Sequence, residues 1–368
     1  LYQPWALARD DNIEKSLQIQ GVSVDTFRAG LLFEPEAVCK DNGEPYRVFT
    51  AFWKRCQSLG LYQPASTAPA RLPGEPLHAG CTLGKLQLLP TINWDRHFQT
   101  HWQPGETHAL QRAESFLSGD IEAYEEARDR PAIAGTSCLS ASLHFGECSP
   151  RSLVNHCIER LDMTDDEAGR LSIRRFMAEL GWREFASHIL YNNPASTDTS
   201  MNPRFEHFPW QQDTGHALQS WQQGMTGFPI IDAGMRQLWQ TGWMHNRVRM
   251  LVASLLTKNL RLHWLHGARW FWDTLVDADL ASNSLGWQWV AGCGTDAAPY
   301  FRIFNPVLQG KKFDPQGSYV RQWVPELAGL DPRIIHEPWK AGGVPDYPEP
   351  LVSLKDSRES ALQAFRSM

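Results

Sequence analysis

Hydrophobic residues recur at helical spacing through most of the chain. Leu110, Ala113, Phe116 and Leu117 share one face. Ser149 followed by Pro150 has the form of a helix start, a capping residue and then proline at the first helical position. Leu153, Val154, Cys157, Ile158 and Leu161 form the apolar stripe behind it. Thr164 and Glu167 have capping-box spacing ahead of Leu171, Met177 and Leu180. Pro229 opens a further helix, and 246–260 and 263–276 give two more. Alternating strand patterns are scarce, and no repeat occurs at solenoid periods. The spacing therefore predicts a mainly α fold.

Breakers divide this pattern. Residues 1–33 are too few for a domain. Pro35, Pro45, Pro64, Pro69, Pro73, Pro76 and Pro90 make 34–105 an expected extended linker. Residues 106–368 are the expected helical domain, with a proline-broken, mostly looped tail from Pro325. Gly181 interrupts a helical run, which costs about 1 kcal/mol of propensity and calls for a packing or kinking reason.

With 42% hydrophobic and 21% charged residues, disorder, collagen and coiled coil are excluded. No apolar run approaches the ~20 residues of a bilayer span, so no membrane role is expected. Seven scattered cysteines without a CxxC pair argue against a disulfide framework or a cysteine zinc site, and for a reducing, cytoplasmic setting. The opening Leu1 and the lack of a signal-peptide pattern suggest a fragment of a longer chain. A net charge of −6 disfavours a polyanionic partner, but charge is segregated. Residues 236–272 hold six Lys/Arg and no acid, whereas 106–130 hold seven acids against three bases. Such a stripe is either a solvated face or a local polyanion site. Sixteen tryptophans exceed what packing alone requires.

Common enzyme signatures are missing: there is no GxxxxGK[ST], HExxH or GxSxG. The run 292–297 fits GxGxxA, but Trp287 and Trp289 precede it, Pro299 follows it, and no βαβ unit surrounds it; a turn is expected. Thr136, Ser137, Cys138, Leu139 and Ser140 form a hydroxyl-rich run, either a phosphate cradle or a plain cap. Asp277, Ala278, Asp279 and Asn283 gather polar groups beside tryptophans, where desolvation is costly unless something is bound; an exposed helix end is the other reading. Arg249 is a candidate partner for Asp277.

Six ordered segments then carry a resemblance: GTSCLSASLHFGECSPR (135–151), ELGWREF (179–185), GFPIIDAGMRQL (227–238), TGWMHNRVRM (241–250), DADLASNSLGWQWVAGCGTDAAPYFRIFNP (277–306) and HEPW (336–339). Together they resemble the photolyase/cryptochrome family, most of all its class I cyclobutane pyrimidine dimer photolyases. The resemblance implies an all-helical domain binding FAD, preceded by the remnant (1–33) of an α/β, Rossmann-like antenna domain. It implies a DNA repair enzyme in which light-excited reduced FAD donates an electron to a flipped-out pyrimidine dimer and splits it.

By matching motif, Tyr124, Thr136, Ser137, Leu139 and Ser140 hold phosphates and ribityl, while Asp277, Asp279 and Asn283 face the flavin ring, with Arg249 paired to Asp277. Asn283 sits beside flavin N5, where plant cryptochromes carry Asp. Ala278 belongs to the same cofactor set. Cys138 stands where many relatives have Arg or Gly, and Phe176 where a flavin-side Trp is common. Asn246 lies where cofactor and lesion meet. Trp182 and Trp289 are the implied walls around the dimer, Glu179 the carboxyl at the thymine edge, and Met250 packs over the lesion. Arg183, Arg247, Arg302 and Gln309 fall at DNA backbone contacts. Trp287, Trp264 and Trp210 match a chain of indoles from flavin to surface. His245 keeps a (6-4) photolyase reading open, because that branch uses a histidine pair as proton donor. Trp5 and Ala6 replace an Asn-Glu pair that clasps a folate antenna, so the antenna, folate or deazaflavin, stays open. The implied partner is dimer-containing DNA, and the protein is expected to be a monomer, nucleoid-associated if bacterial. A cryptochrome-type photoreceptor and a helical scaffold with a degenerate flavin site are the other readings.

Overall fold

A computed structural model describes residues 2–27, 29–63, 70–71, 74, 80–212, 215–297 and 301–368. The early helices are α1 (Pro4–Ile19), α2 (Phe49–Leu59), α3 (Glu106–Ser118), α4 (Tyr124–Ala127), α5 (Ser140–His144), α6 (Pro150–Met163) and α7 (Glu167–Asn192). Then come α8 (His216–Gln223), α9 (Pro229–Thr241), α10 (Asn246–Ser254), α11 (Trp264–Thr274) and α12 (Leu280–Ala291). The last are α13 (Pro306–Phe313), α14 (Ser318–Trp323) and α15 (Leu354–Arg366). Among the described residues, extended pairing is limited to two isolated bridges, Cys39 with Pro45 and Val344 with Tyr347. The fold is mainly α, as the spacing predicts.

Two apolar cores meet along α7 and α12. The first collects Phe52, Trp53 and Cys56 of α2 with Phe116, Ile173, Phe176, Leu180 and Phe185. The second is built on α9 to α12 and α14 around Trp221, Trp264, Trp287 and Tyr319. Ala186 and Leu190 of α7 touch Ala281 of α12, which joins them. A seam between two cores is where a large polar cofactor finds both apolar walls and polar edges.

Several local expectations hold. The Ser149 hydroxyl caps α6 by accepting from the Arg151 amide. Gly181 has its packing reason: a Cβ there would lie 2.5 Å from the Trp53 ring. None of the seven cysteines forms a disulfide. No helix among the described residues is long and apolar enough to cross a membrane.

Other expectations change. The cap of α7 is Asp166, whose carboxylate accepts from the Gly169 amide at 2.8 Å, while Thr164 donates back to Arg160 O. Asp166 wins because a carboxylate at a helix N-terminus also meets the helix dipole. Residues 34–105 are not extended throughout. Phe49, Phe52, Trp53 and Cys56 put one apolar face on α2, which packs on α7; most of the proline-rich run 63–80 lies outside the described residues. The tail is proline-broken and mostly loop, as expected, but it ends in a helix that the spacing did not announce. Ser353 caps α15, which docks through Phe365 stacked on Phe301 at 4.4 Å and Ser357 bonded to Asn259.

Candidate functional site

Helix α12 follows directly on the polar run Asp277, Ala278 and Asp279. Asp277 is buried, and Arg249 of α10 donates to both its oxygens at 2.8 and 3.2 Å while its Nε donates to Met244 O. The expected pair is formed. Asp279 caps α12 by accepting from the Ser282 amide at 2.8 Å, and its other oxygen lies 3.9 Å from His144 of α5. Burial acts to raise its pKa, but the nearby His144 ring and the hydrogen bond from Ser282 outweigh it and bring it down to about 2. One turn into α12, the Asn283 amide donates to Ala268 O at 2.9 Å, fixing the side chain against α11.

The hydroxyl run faces this cluster. Thr136, Ser137 and Cys138 are half-buried and Leu139 is fully buried, while Ser140 is exposed as the first residue of α5. Cys138 has φ +50° and lies within the field of Arg112, Asp277 and Arg249. Burial, the first cause, pushes its thiol pKa up, so it is a neutral group. Tyr124 is buried with Phe116 and Phe176 in an aromatic trio, ring centroids 4.9 to 5.7 Å apart. Hydroxyls, a guanidinium and the Asp279 carboxylate thus stand partly uncovered between two apolar cores. That donor set fits a ligand with phosphates, a polyol and a flat ring carrying polar edges.

The three indoles of the expected chain lie in or against one core. Trp264 and Trp287 are buried and Trp210 is half-buried. Trp210 packs on Phe208 at 4.5 Å and on His263 at 5.0 Å, and His263 lies 5.7 Å from Trp264. Helix α11 reaches Trp287 through Gly267, where a Cβ would sit 2.0 Å from the ring. Spacing explains the division of labour on α12. Residues 283 and 287 share a face, whereas 289 points away from 287. Trp287 goes inward and Trp289 stays half-exposed, its indole donating to Asp296 O at 3.0 Å.

On the expected lesion side, Trp182 is half-buried and one ring face stacks on Phe49 of α2, centroids 3.8 Å apart. Glu179, one turn earlier, is engaged by Arg128, which also lies over the Tyr124 ring. Asn246 is exposed at the start of α10, and Met250 one turn on is half-buried. Arg247 donates to both oxygens of Asp129 at 2.7 and 3.3 Å and lies over Phe313, with Gln309 one turn earlier on α13. Arg302 lies 6.0 Å from the rings of Trp289 and Phe304.

Arg183 and His245, both expected near the cofactor or DNA, have internal partners. Arg183 donates to Gly30 O at 2.6 Å and Leu143 O at 3.3 Å and sits 3.5 Å from Glu184, because carbonyls and a buried carboxylate converge there. His245 is 2% exposed and caps α10 through Nδ1, and burial lowers its pKa to about 4. Because Nδ1 accepts from the Arg247 amide, the neutral ring carries its proton on Nε2. The basic stripe 236–272 is likewise no open face: Arg236, Arg247 and Arg249 are each ion-paired, and Lys258 is buried.

Residues that the sequence reading passed over also shape the site. Arg128 and His144 hold Glu179 and Asp279, and Phe49 backs Trp182. Lys258, in the π-helical turn after α10, donates to Ala291 O at 2.6 Å and so caps the C-terminus of α12. Only Phe49 carried a signal, its place in an apolar i, i+3, i+4, i+7 set with Phe52, Trp53 and Cys56.

Comparison with known proteins gives the family. The family model for the FAD binding domain of DNA photolyase matches residues 176–367, and that for DNA photolyase matches 1–72. A deoxyribodipyrimidine photo-lyase from Agrobacterium fabrum is 43% identical over 100% of this chain and 78% of its own length. Cryptochrome-1 of Arabidopsis thaliana is 37% identical over 100% of this chain and 56% of its own. The crystal structure of a bacterial class III photolyase from Agrobacterium tumefaciens superposes with a TM-score of 0.89 at 42% identity, covering 100% of this chain and 78% of that one. With the family's domain model across the helical half, its relatives aligned over the whole of this chain and its fold reproduced, the chain belongs to the DNA photolyase family and carries that family's FAD-binding domain.

Proposed function

We propose that this protein is a light-driven DNA lyase that splits cyclobutane pyrimidine dimers. The observation that carries the reading is the arrangement of α12. One helix bears Asn283 beside the Arg249–Asp277 pair, Trp287 in the buried contact with α11, and Trp289 on its half-exposed side. Cofactor, electron supply and lesion wall then share one rigid element, which keeps their distances fixed.

When bound, reduced FAD supplies under near-UV or blue light the electron that opens the cyclobutane ring. The chain supplies orientation and a dry setting. Thr136, Ser137, Leu139 and Ser140 are assigned to phosphates and ribityl, and Tyr124 and Phe176 to the wall behind them. The Arg249–Asp277 pair, Ala278, Asp279 and Asn283 are assigned to the ring. Trp287, Trp264 and Trp210 deliver reducing electrons from the surface. Trp182 and Trp289 sandwich the flipped dimer, because every base offers a π face whatever its sequence. Glu179, Asn246 and Met250 close the pocket, and Arg247, Arg302 and Gln309 meet the backbone of the DNA. Glu179 and Arg247 already have partners in Arg128 and Asp129. Dimer binding therefore trades one set of hydrogen bonds for another.

The likeness to a plant cryptochrome supports a second reading, a flavin blue-light photoreceptor. Electrophoretic mobility shift with a thymine-dimer oligonucleotide against its undamaged twin separates the two. The lyase reading predicts clear preference for the dimer. Equal affinity for both would favour the photoreceptor.

A further inference from the structure

Trp210 and Trp264, the two indoles assigned to the outer part of the electron supply, do not meet ring to ring among the described residues. His263 is the ring that touches both. Its half-buried imidazole lies 5.0 Å from the Trp210 ring, edge to face at 69°, and 5.7 Å from Trp264 at 31°. The other ring contact of Trp210, Phe208 at 4.5 Å, leads on to Phe205 and Phe301. The imidazole is held in this place. It caps α11, its Nδ1 accepting from the Leu265 amide at 3.2 Å. Trp264 beside it is fully buried, with its indole donating to Ser200 Oγ at 3.3 Å. The Gln211 amide donates to Arg261 O at 2.8 Å, which pins the segment bearing Trp210 onto the turn ahead of His263. Arg261 holds φ +52° in that turn, a left-handed conformation that a non-glycine residue occupies only when its surroundings fix it.

Capping alone does not call for a histidine, because Ser, Thr, Asp and Asn are the favoured caps. A smaller cap would leave the space between the two indoles unfilled. Electron tunnelling falls off far more steeply across a gap than through packed atoms, so a ring packed on both partners offers the better path. Burial, His266 and Arg269 lower the His263 pKa, so at neutral pH the ring is uncharged and does not repel positive charge left on either indole. We infer that His263 is a bridging residue of the indole chain: its imidazole carries the electron path between Trp210 and Trp264, and its capping bond holds the ring there. The inference rests on the reading of the three indoles as the electron supply. In the step it serves, Trp210 loses one electron and the oxidised Trp264 ring gains it. No bond forms or breaks, and the imidazole ends as it began. The oxidant at the inner end is light-excited oxidised flavin, and a thiol reductant in solution refills Trp210.

The test uses the FAD-loaded, oxidised protein with a thiol reductant. Transient absorption after a blue flash reports the tryptophan radical, and continuous light gives the rate of photoreduction. Thermal melting reports the cap, and the absorption spectrum the flavin content. His263→Asn keeps a capping acceptor and removes the ring, whereas His263→Phe keeps a ring and removes the cap. The expected result for His263→Asn is a several-fold loss in the yield of long-lived tryptophan radical and in photoreduction rate, with Tm and flavin content held. His263→Ser, another capping residue, gives the same loss. His263→Phe lowers Tm and keeps most of the transfer. A native radical yield in His263→Asn or His263→Ser overturns the inference, as does His263→Phe transferring no better than His263→Asn. Trp264→Phe in the same series separates the two levels. If it stops photoreduction while His263→Asn is native, the bridging role alone fails; if it too is native, the reading of the indole chain fails with it.

Discussion

Trp289 acts through a flat ring whose edge is held and whose face is half-open. Truncation to Ala removes the stacking surface and leaves the Asp296 carbonyl without its indole partner. Trp289→Ala is expected to weaken binding to a dimer-containing oligonucleotide by about 1–3 kcal/mol, checked by fluorescence anisotropy titration. Glu184 is a different kind of residue. It is buried, and its Oε2 accepts from the Leu32 and Phe33 amides at 2.8 and 3.3 Å, so it ties α7 to the N-terminal segment. Burial is the leading cause that pushes its pKa from 4.5 to about 7, partly offset by Arg183 and the two amides. The folded state therefore binds this proton more tightly than the unfolded chain between those values. Stability from this group is full below pH 4.5 and is lost as pH rises to about 7. Glu184→Gln is expected to flatten the Tm profile between pH 5 and 8, removing a slope of order 2–3 kcal/mol; an unchanged profile would rule this out. The motifs made Asp277, Asn283 and the indoles legible. They gave no hint of Glu184 or Arg128, because these act through partners tens to hundreds of positions away.

Among the helices, legibility followed the local signal. Ser149 with Pro150 named the start of α6 because cap, proline and apolar stripe agree. The start of α7 was offset because two capping candidates, Thr164 and Asp166, lie two residues apart and the carboxylate gives the stronger cap. Helices α2 and α15 were missed for one reason: nearby prolines masked an apolar spacing that was present, Phe49/Phe52/Trp53/Cys56 in one and Ser353 with Asp356 ahead of Ala361 and Ala364 in the other. The α2–α7 contact is tight enough to test. Gly181→Ala places a methyl 2.5 Å from the Trp53 ring. It is expected to destabilise the protein by about 1–3 kcal/mol, the range for overpacking, despite alanine's better helix propensity. Calorimetry showing equal or higher Tm would mean that α2 can move aside freely.

Across the whole molecule, charge and tryptophan count both needed the structure to be read. Of the six cations in 236–272, three are in ion pairs and one is buried, so net charge −6 is not offset by an open basic face. DNA affinity is therefore expected to fall only moderately with salt, with a log–log slope of about −2 to −3 for two or three phosphates. A slope several times steeper would place the DNA on another surface. The tryptophan surplus is likewise mixed. Trp221 and Trp102 anchor helices by donating to Val252 O and Thr241 O, and Trp239 stacks on Trp270, so packing accounts for part of it. What separates a repair lyase from a photoreceptor on this scaffold is the fate of a bound dimer under light. The FAD-loaded, chemically reduced protein should be mixed with a thymine-dimer oligonucleotide, illuminated at near-UV or blue wavelengths and followed by recovery of thymine absorbance. Light-dependent, catalytic recovery is the predicted result. Dimers that stay intact under illumination, with reduced FAD bound and the oligonucleotide saturating, would contradict the account.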